Sequence, residues 1–241
     1  MNRRVVLRSL SAVALSTAAL GSALGMSRPG KITPGAHDAL IVVDVQNCFV
    51  RGGTLAVSHG EDVVPVINRL APAFQNVVLT QDWHPAGHTS FASAHPGRKP
   101  YDTIRLAYGD QVLWPDHCVQ GTADAALHPA LTIPQAELIV RKGFHSDVDS
   151  YSAFEEADRK TPTGLGGYLK QRGIEAVFVT GLATDFCVQW TALDARRLGF
   201  TTYVIEDACR GIDINGSLDA AWKAMSEHGI RRIESTDIVA G

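Results

Sequence analysis

Cys187 has the sequence context of a catalytic nucleophile. Residues 176–180 are predicted to form a buried strand and residues 184–198 have helical spacing, so the cysteine follows a turn between the two. Thr184 is a favourable N-cap, which predicts that Cys187 lies in the first helical turn, where the helix dipole would lower the pKa of the thiol. Backbone N–H groups in the same turn could stabilise an oxyanion. The alternative interpretation is a buried cysteine with a purely structural role.

Two charged residues at the ends of apolar runs could activate this thiol. Asp44 lies at the end of the run 39–45, where an ionised carboxylate is costly unless it is paired or used in chemistry. Next to Cys187, it could accept the thiol proton and later protonate a leaving amine. Lys142 follows the run 137–140 and would keep this pair ionised. A buried Asp–Lys salt bridge without chemistry is equally consistent with the spacing.

Asp82 and His84 have the spacing of a metal-binding pair. Residues two apart at a strand end point to the same side, and a carboxylate with an imidazole suits Zn²⁺, Fe²⁺ or Mn²⁺. His88, His95 and His117 are the candidates for a third ligand. An Asp-x-His pattern is common, however, and solvated loop histidines are the alternative interpretation.

The elements that must position these residues alternate along the chain. Because parallel strands present ligands beyond their carboxyl ends, the alternation would bring Asp44, Asp82, Lys142 and Cys187 to one edge. The pattern predicts a three-layer α/β/α sandwich with a mostly parallel, doubly wound six-stranded sheet. Residues 82–135 lack clear periodicity, and long loops of this kind are usually functional. Strands are predicted near residues 39–45, 76–80, 137–140, 176–180, 201–205 and 230–233, and helices near residues 61–74, 164–172, 184–198 and 216–228.

Composition indicates one globular domain, over residues 31–241. The chain has 241 residues, 45% of them hydrophobic, and a net charge of −3. No basic run lies in the globular part, so nucleic acid is not expected as a partner. The four cysteines could form two disulfides, but a domain of this size does not need them. Cys48, Cys118 and Cys209 lack the placement of Cys187 and are interpreted as structural residues.

The first 30 residues have the pattern of an export signal. The paired Arg3 and Arg4 precede residues 9–27, which carry no charge and are rich in Ala, Ser and Leu. This arrangement predicts a twin-arginine signal and a periplasmic protein. If translation begins at Met26 instead, a cytoplasmic protein is expected. The segment is too polar for a membrane span, so stable membrane insertion is not expected.

Four segments of the chain resemble the nicotinamidase branch of the isochorismatase-like cysteine hydrolases. The similarity covers residues 38–240, and its motifs lie in residues 41–55, 80–92, 114–122 and 181–188. The resemblance implies hydrolysis of nicotinamide to nicotinate and ammonia, with pyrazinamide as a further substrate. It also implies one divalent metal ion, with zinc as the first expectation and iron or manganese as alternatives. A homo-oligomer is left open.

The resemblance also assigns roles to residues. It implies a catalytic triad, an oxyanion hole made by backbone N–H groups, three metal ligands and an apolar pocket for the pyridine ring. His88 is a candidate for an additional ligand, whose identity varies among relatives. The peptide bond between Leu182 and Ala183 is expected to be cis. The triad would be Asp44, Lys142 and Cys187, and the oxyanion hole would use the N–H groups of Ala183 and Cys187. The metal ligands would be Asp82, His84 and His117. Phe49, Trp114, Leu55 and Tyr151 would line the pocket, and Phe49 and Trp114 would sandwich the ring.

Two departures and two alternatives accompany this resemblance. Many relatives have Asp where this chain has Cys48, and Pro is common where it has Arg51, so both positions could tune substrate preference. One alternative is a cysteine hydrolase of the same superfamily that acts on another small amide or carbamoyl compound. The other is a metal- or pyridine-binding protein without catalytic activity.

Overall fold

A six-stranded sheet lies at the centre of the computed structural model, which describes residues 30–239. The predicted signal over residues 1–30 therefore lies almost wholly outside the described residues. Among residues 30–239, no helix is both long and apolar enough to span a bilayer. The strands are β1 (Asp38–Val43), β2 (Asn76–Asp82), β3 (Thr103–Leu106), β4 (Gly109–Val112), β5 (Leu138–Lys142), β6 (Ala176–Leu182), β7 (Thr201–Arg210) and β8 (Arg231–Ile233). The helices are α1 (Val63–Leu70), α2 (Leu165–Gln171), α3 (Gln189–Arg197) and α4 (Ser217–Glu227).

The strands of the main sheet follow the order β5-β2-β1-β6-β7-β8, and every pairing in it is parallel. The chain builds outward from β1 to β5 and then returns to add β6 on the other side of β1. This reversal places a crevice beyond the carboxyl ends of β1 and β6, where ligands bind in doubly wound folds. The predicted sheet is confirmed.

Helices cover both faces of this sheet, which explains why β1 is apolar at successive positions. Leu40 and Val42 pack into one hydrophobic cluster with Val63 and Ile67 of α1. Residues of the opposite parity pack into a second cluster with α2, α3 and α4. That cluster includes Ala39, Ile41, Val43, Leu165, Leu169, Ala192, Ala221 and Met225. The structure is therefore the expected three-layer sandwich.

The turn after β6 differs from the prediction. Residues Thr184–Val188 form one π-helical turn before α3 begins at Gln189, and the predicted N-cap role of Thr184 is wrong because Ala183 precedes the turn without a side-chain cap. Asp185 explains part of this geometry, since its carboxylate accepts hydrogen bonds from the backbone N–H groups of Ile212 and Asp213, both at 2.9 Å. The first turn is thus tied to the segment after β7.

Two further elements differ in extent from their sequence patterns. The helical pattern over residues 61–74 contains α1 only at Val63–Leu70, with 3₁₀ turns at Gly60–Asp62 and Ala71–Ala73. The antiparallel hairpin of β3 and β4 lies within the region that showed no periodicity. Each of its strands has only four residues, which is too few for a clear period-2 signal.

Replacing Gly181 with alanine is expected to destabilise the junction between β1 and β6. Gly181 has a φ of +110°, and a Cβ there would stand 2.0 Å from the carbonyl oxygen of Val43. Backbone strain and overlap together predict a loss of roughly 2–4 kcal/mol in the free energy of unfolding, measured by urea titration. The control is Gly167→Ala in α2, where nothing lies within 4 Å and a gain of about 0.5–1 kcal/mol is expected. Equal stability of the two variants would contradict the expectation.

Candidate active site

The ends of four neighbouring strands bring Asp44, Asp82, Lys142 and Cys187 together, as the sequence predicted. Lys142 is fully buried, and its Nζ lies 2.8 Å from Asp44 Oδ2 and 3.4 Å from Cys187 Sγ. The same ammonium group donates a hydrogen bond to Asp82 Oδ1. A carboxylate oxygen of Asp44 and the sulfur of Cys187 lie within 4.8 Å of each other. A thiol, two carboxylates and an ammonium group thus share one buried cluster.

Neighbouring polar groups fix the orientation of these side chains. Thr80 Oγ1 donates a hydrogen bond of 2.5 Å to Asp44 Oδ1 and accepts one of 3.0 Å from the backbone N–H of Asp44. Lys142 Nζ also donates to the carbonyl oxygen of Ser150 at 3.0 Å. Sequence reasoning missed Thr80, although it lies two residues before Asp82 and so points to the same side of β2.

Burial and the nearby charges set the protonation of this cluster. Burial lowers the pKa of Lys142, but Asp44, Asp82 and Cys187 outweigh it and raise that pKa well above its usual value. Burial raises the pKa of Asp82, yet Lys142 and the neighbouring histidines hold it well below its ordinary range. Lys142 is therefore an ammonium group and Asp82 a carboxylate.

The thiol of Cys187 does not have the lowered pKa that the sequence predicted. Burial raises its pKa well above the usual value, and Asp44 and Asp82 add to this effect, while Lys142 opposes it. Burial also raises the pKa of Asp44, although Lys142 acts in the other direction. The prediction considered the helix dipole and omitted the loss of water around a side chain that is only 5% exposed. The thiol therefore has to lose its proton to a neighbouring group before it can react.

Asp82, His84 and His117 point one ligand atom each at a common centre. Asp82 Oδ2 lies 3.7 Å from Nε2 of His84 and 3.7 Å from Nε2 of His117. Two atoms bound to one zinc ion at about 2.0–2.1 Å stand roughly 3–4 Å apart, so the spacing fits a single ion. All three side chains are buried. The donor set of two imidazoles and one carboxylate therefore fits a divalent transition metal.

Hydrogen bonds to the backbone orient both imidazoles for this role. Nδ1 of His84 lies 2.8 Å from the carbonyl oxygen of Gly143, and Nδ1 of His117 lies 2.9 Å from that of Pro115. Each Nδ1 must carry the proton to make these bonds, which leaves the Nε2 lone pair for a metal. Gln46 holds the backbone of Asp82 from both sides, because its amide donates to the carbonyl oxygen and accepts from the N–H.

The other two candidate histidines do not join this set. Nε2 of His88 lies 2.9 Å from the carbonyl oxygen of His145 and 3.1 Å from that of Val148, and its Nδ1 contacts the hydroxyl of Ser90. Both nitrogens of His88 therefore have protein partners. His95 instead uses Nε2 to contact the carbonyl oxygen of Thr89 at 2.7 Å.

A small pocket opens beside the thiol and the three potential ligands. The four pocket residues named by the sequence line it, together with three that the sequence did not indicate. Two contacts of Trp114 fix the wall of this pocket. Its ring meets that of Phe186 edge-on, with 4.8 Å between the ring centroids, and its Nε1 donates a hydrogen bond of 2.9 Å to the hydroxyl of Tyr151. Besides Asp82, His84, His117, Ala183 and Cys187, the lining residues are Phe49, Leu55, Trp114, Tyr151, and the unpredicted Asp149, Phe186 and Ile212.

The predicted cis peptide bond between Leu182 and Ala183 is present. It lies directly before the π-helical turn that carries Cys187. Ala183 and Cys187, whose backbone N–H groups the sequence linked to an oxyanion hole, both line the pocket.

Cys48 and Cys118 form a disulfide, a pairing that the sequence left undetermined. Cys48 immediately precedes the pocket residue Phe49, and Cys118 immediately follows His117. The bond therefore joins the loop after β1 to the loop that carries a potential metal ligand. Cys187 and Cys209 are free thiols, and both are buried.

Known proteins of one family resemble this chain in sequence and fold. A family model described as the isochorismatase domain matches residues 38–237. The nicotinamidase of Acinetobacter baylyi is 61% identical over 201 residues, which cover 83% of this chain and 94% of that protein. A solved nicotinamidase and pyrazinamidase of Acinetobacter baumanii is 63% identical, with a TM-score of 0.84 over 84% of this chain and 98% of the other. The pyrazinamidase of Pyrococcus horikoshii, solved in complex with zinc, is 34% identical, with a TM-score of 0.68 over 82% of this chain and 99% of the other.

The chain belongs to the isochorismatase family, and within it to the nicotinamidase branch. It is a hydrolase that acts on the C–N bond of a carboxamide.

Proposed function

We propose that the carboxamide substrate is nicotinamide, which the enzyme hydrolyses to nicotinate and ammonia, and that pyrazinamide is accepted as well. The observation that supports this proposal is that one pocket is lined both by a thiol and by three converging side chains that suit a metal ion. An apolar wall that includes Phe49 and Trp114 suits a flat aromatic ring, and the ring nitrogen of a pyridine or pyrazine is a ligand for a divalent metal. The relatives described above carry the names of these two activities.

We assign the metal to Asp82, His84 and His117, with zinc as the first candidate. When bound there, the ion would supply a Lewis acid that anchors the ring nitrogen of the substrate. The protein's own residues do the rest of the positioning, because the pocket wall fixes the plane of the ring. The carboxamide then faces Cys187, which lines the same pocket as His84 and His117.

The acylation step uses the buried cluster around Lys142. Asp44 accepts the proton of the Cys187 thiol, and the sulfur attacks the carboxamide carbon as this proton leaves. Lys142 stabilises the negative charge on both groups during the transfer, because its ammonium contacts each of them. Backbone N–H groups of Ala183 and Cys187 stabilise the oxyanion of the tetrahedral intermediate. Asp44 then protonates the nitrogen as the C–N bond breaks, which releases ammonia and leaves a thioester on Cys187.

The second step returns the enzyme to its starting state. A water molecule enters in place of ammonia, and Asp44 accepts its proton as the hydroxide attacks the thioester carbon. The C–S bond breaks, nicotinate leaves, and the proton on Asp44 returns to the sulfur. The sum of both steps is one carboxamide and one water converted to one carboxylic acid and one ammonia.

The two alternative functions fit this site less well. A hydrolase of carbamoyl compounds needs the thiol, the carboxylate and the ammonium, but it has no use for three converging metal ligands. A binding protein without activity has no use for the Asp44–Lys142–Cys187 cluster. Ammonia release from nicotinamide separates the proposal from both alternatives.

Replacing Cys187 with alanine is expected to abolish ammonia release. The variant loses the only pocket thiol among residues 30–239, so we expect the turnover of nicotinamide to fall roughly 10⁴-fold or more. Metal content should stay at the wild-type level, because Cys187 is not one of the three ligands. Cys209→Ala is the matched control, since this second free thiol lies outside the pocket and its loss should leave turnover intact. Retained turnover in Cys187→Ala would refute the assignment.

Removing the metal is expected to weaken the binding of nicotinamide. The inactive Cys187→Ala protein, treated with a chelator and then dialysed, should bind nicotinamide less tightly than its untreated form by isothermal titration calorimetry, since the ring nitrogen loses its anchor. Adding Zn²⁺ back should restore the affinity. Benzamide, which has no ring nitrogen, is the control ligand and should bind equally to both forms. Equal nicotinamide affinity with and without metal would contradict the proposed anchor.

We also propose that the protein is exported through the twin-arginine pattern in residues 1–30. The Cys48–Cys118 disulfide supports this, because disulfides persist in oxidising compartments such as the periplasm. Sequencing the N-terminus of protein from a periplasmic fraction should give a start near residue 30, and thiol titration of the denatured protein should find two free cysteines. An intact Met1 on mature, cytoplasmic protein would contradict export.

A further inference from the structure

Asp149 is a buried carboxylate in the pocket wall that the proposed reaction does not use. It is 2% exposed and lies in the loop that follows β5. One oxygen of its carboxylate, one ring nitrogen of His84 and one ring nitrogen of His88 lie within 4.8 Å of one another. Burying an ionised carboxylate costs free energy unless hydrogen bonds or positive charge compensate it. The group therefore needs an explanation.

The hydrogen bonds of Asp149 account for only part of this cost. Oδ1 accepts a hydrogen bond of 2.8 Å from the backbone N–H of Ser150, and Oδ2 accepts one of 2.7 Å from the side-chain amide of Gln111. In the described part of the chain, both of these partners are neutral. An ionised carboxylate can accept about four hydrogen bonds, so Asp149, which lines the pocket, has acceptor capacity left. A divalent ion at the metal site that includes His84 would supply positive charge close to this carboxylate.

We infer that Asp149 is an outer carboxylate of the metal site, which raises the affinity for the ion without being one of its ligands. This inference rests on the metal site of the proposed function. Asp149 is grouped in space with His84 and not with Asp82 or His117, so it flanks the ligand set and does not complete it. Groups that surround the ligands of a metal without binding it affect its affinity.

Gln111 is the residue that positions this carboxylate. It lies on β4, is 1% exposed, and accepts a hydrogen bond of 3.0 Å from the hydroxyl of Tyr108. Its amide nitrogen lies 2.7 Å from Asp149 Oδ2 and 3.1 Å from the hydroxyl of Tyr151. The β3–β4 hairpin is not part of the main sheet, and this contact gives it a role: it sets the pocket wall next to the metal ligands.

The affinity of the metal-free protein for Zn²⁺ alone tests the inference, measured by competition with a chromophoric chelator at constant pH. Asp149→Asn keeps the shape of the side chain and removes its charge, so the affinity should fall about 10- to 100-fold. Asp149→Glu restores the charge and should recover part of the loss. The matched control is Asp147→Asn, which removes an exposed carboxylate from the same loop and should leave the affinity unchanged.

The outcomes separate this inference from the proposed function. If the wild-type protein binds Zn²⁺ and Asp149→Asn binds it equally tightly, the inference is overturned and the metal site stands. If the wild-type protein does not bind Zn²⁺, both fail. Melting temperatures of the metal-free variants separate folding from metal affinity, because an electrostatic role leaves them similar. If Asp149→Asn does not fold, Gln111→Leu is the test variant, because it removes the hydrogen bond that positions Asp149. Unchanged Zn²⁺ affinity of Gln111→Leu overturns the positioning role of Gln111.

Discussion

The ammonium group of Lys142, buried between two carboxylates, is the interaction on which the site depends. A lone charge with no exposure would be strongly destabilising, and Asp44 and Asp82 together more than compensate it. Asp82 uses one oxygen for Lys142 and turns the other toward His84 and His117. The cluster around Cys187 and the three potential metal ligands are therefore parts of one electrostatic unit. A change of charge in either part alters the stability of the other.

The sheet and neighbouring hydrogen bonds hold this cluster, so few of its side chains can rotate freely. Asp82 and Lys142 end adjacent strands in direct register, so their backbones are fixed by the sheet itself. Thr80 and Gln46 then fix the side chain of Asp44 and the backbone of Asp82 by hydrogen bonds from neighbouring strand ends. Such preorganisation matters for catalysis, because groups that are already aligned need no reorganisation when charge moves.

The sequence predicted the sheet and the cluster because both are encoded locally. Apolar runs mark the buried strands, and the polar residue that ends each run must appear at the same edge. The wall of the pocket is encoded differently. Phe186 and Ile212 are ordinary apolar residues, and Asp149 lies in a polar loop whose path no periodicity reveals. The pKa of Cys187 was also predicted in the wrong direction, since it depends on how completely the surrounding elements exclude water.

The position of β1 in the middle of the sheet has a consequence for how the enzyme acquires activity. β1 pairs with β6, whose residues are synthesised long after it, and Cys187, the proposed nucleophile, follows β6 directly. Strands so far apart in sequence pair slowly, because closing the long intervening loop costs conformational entropy before native contacts offset it. A growing chain that stops before β6 contains Asp44, Asp82 and Lys142 but lacks the strand that pairs with β1 on its other side. Hydrolysis therefore requires that β6 and the turn after it have joined the sheet.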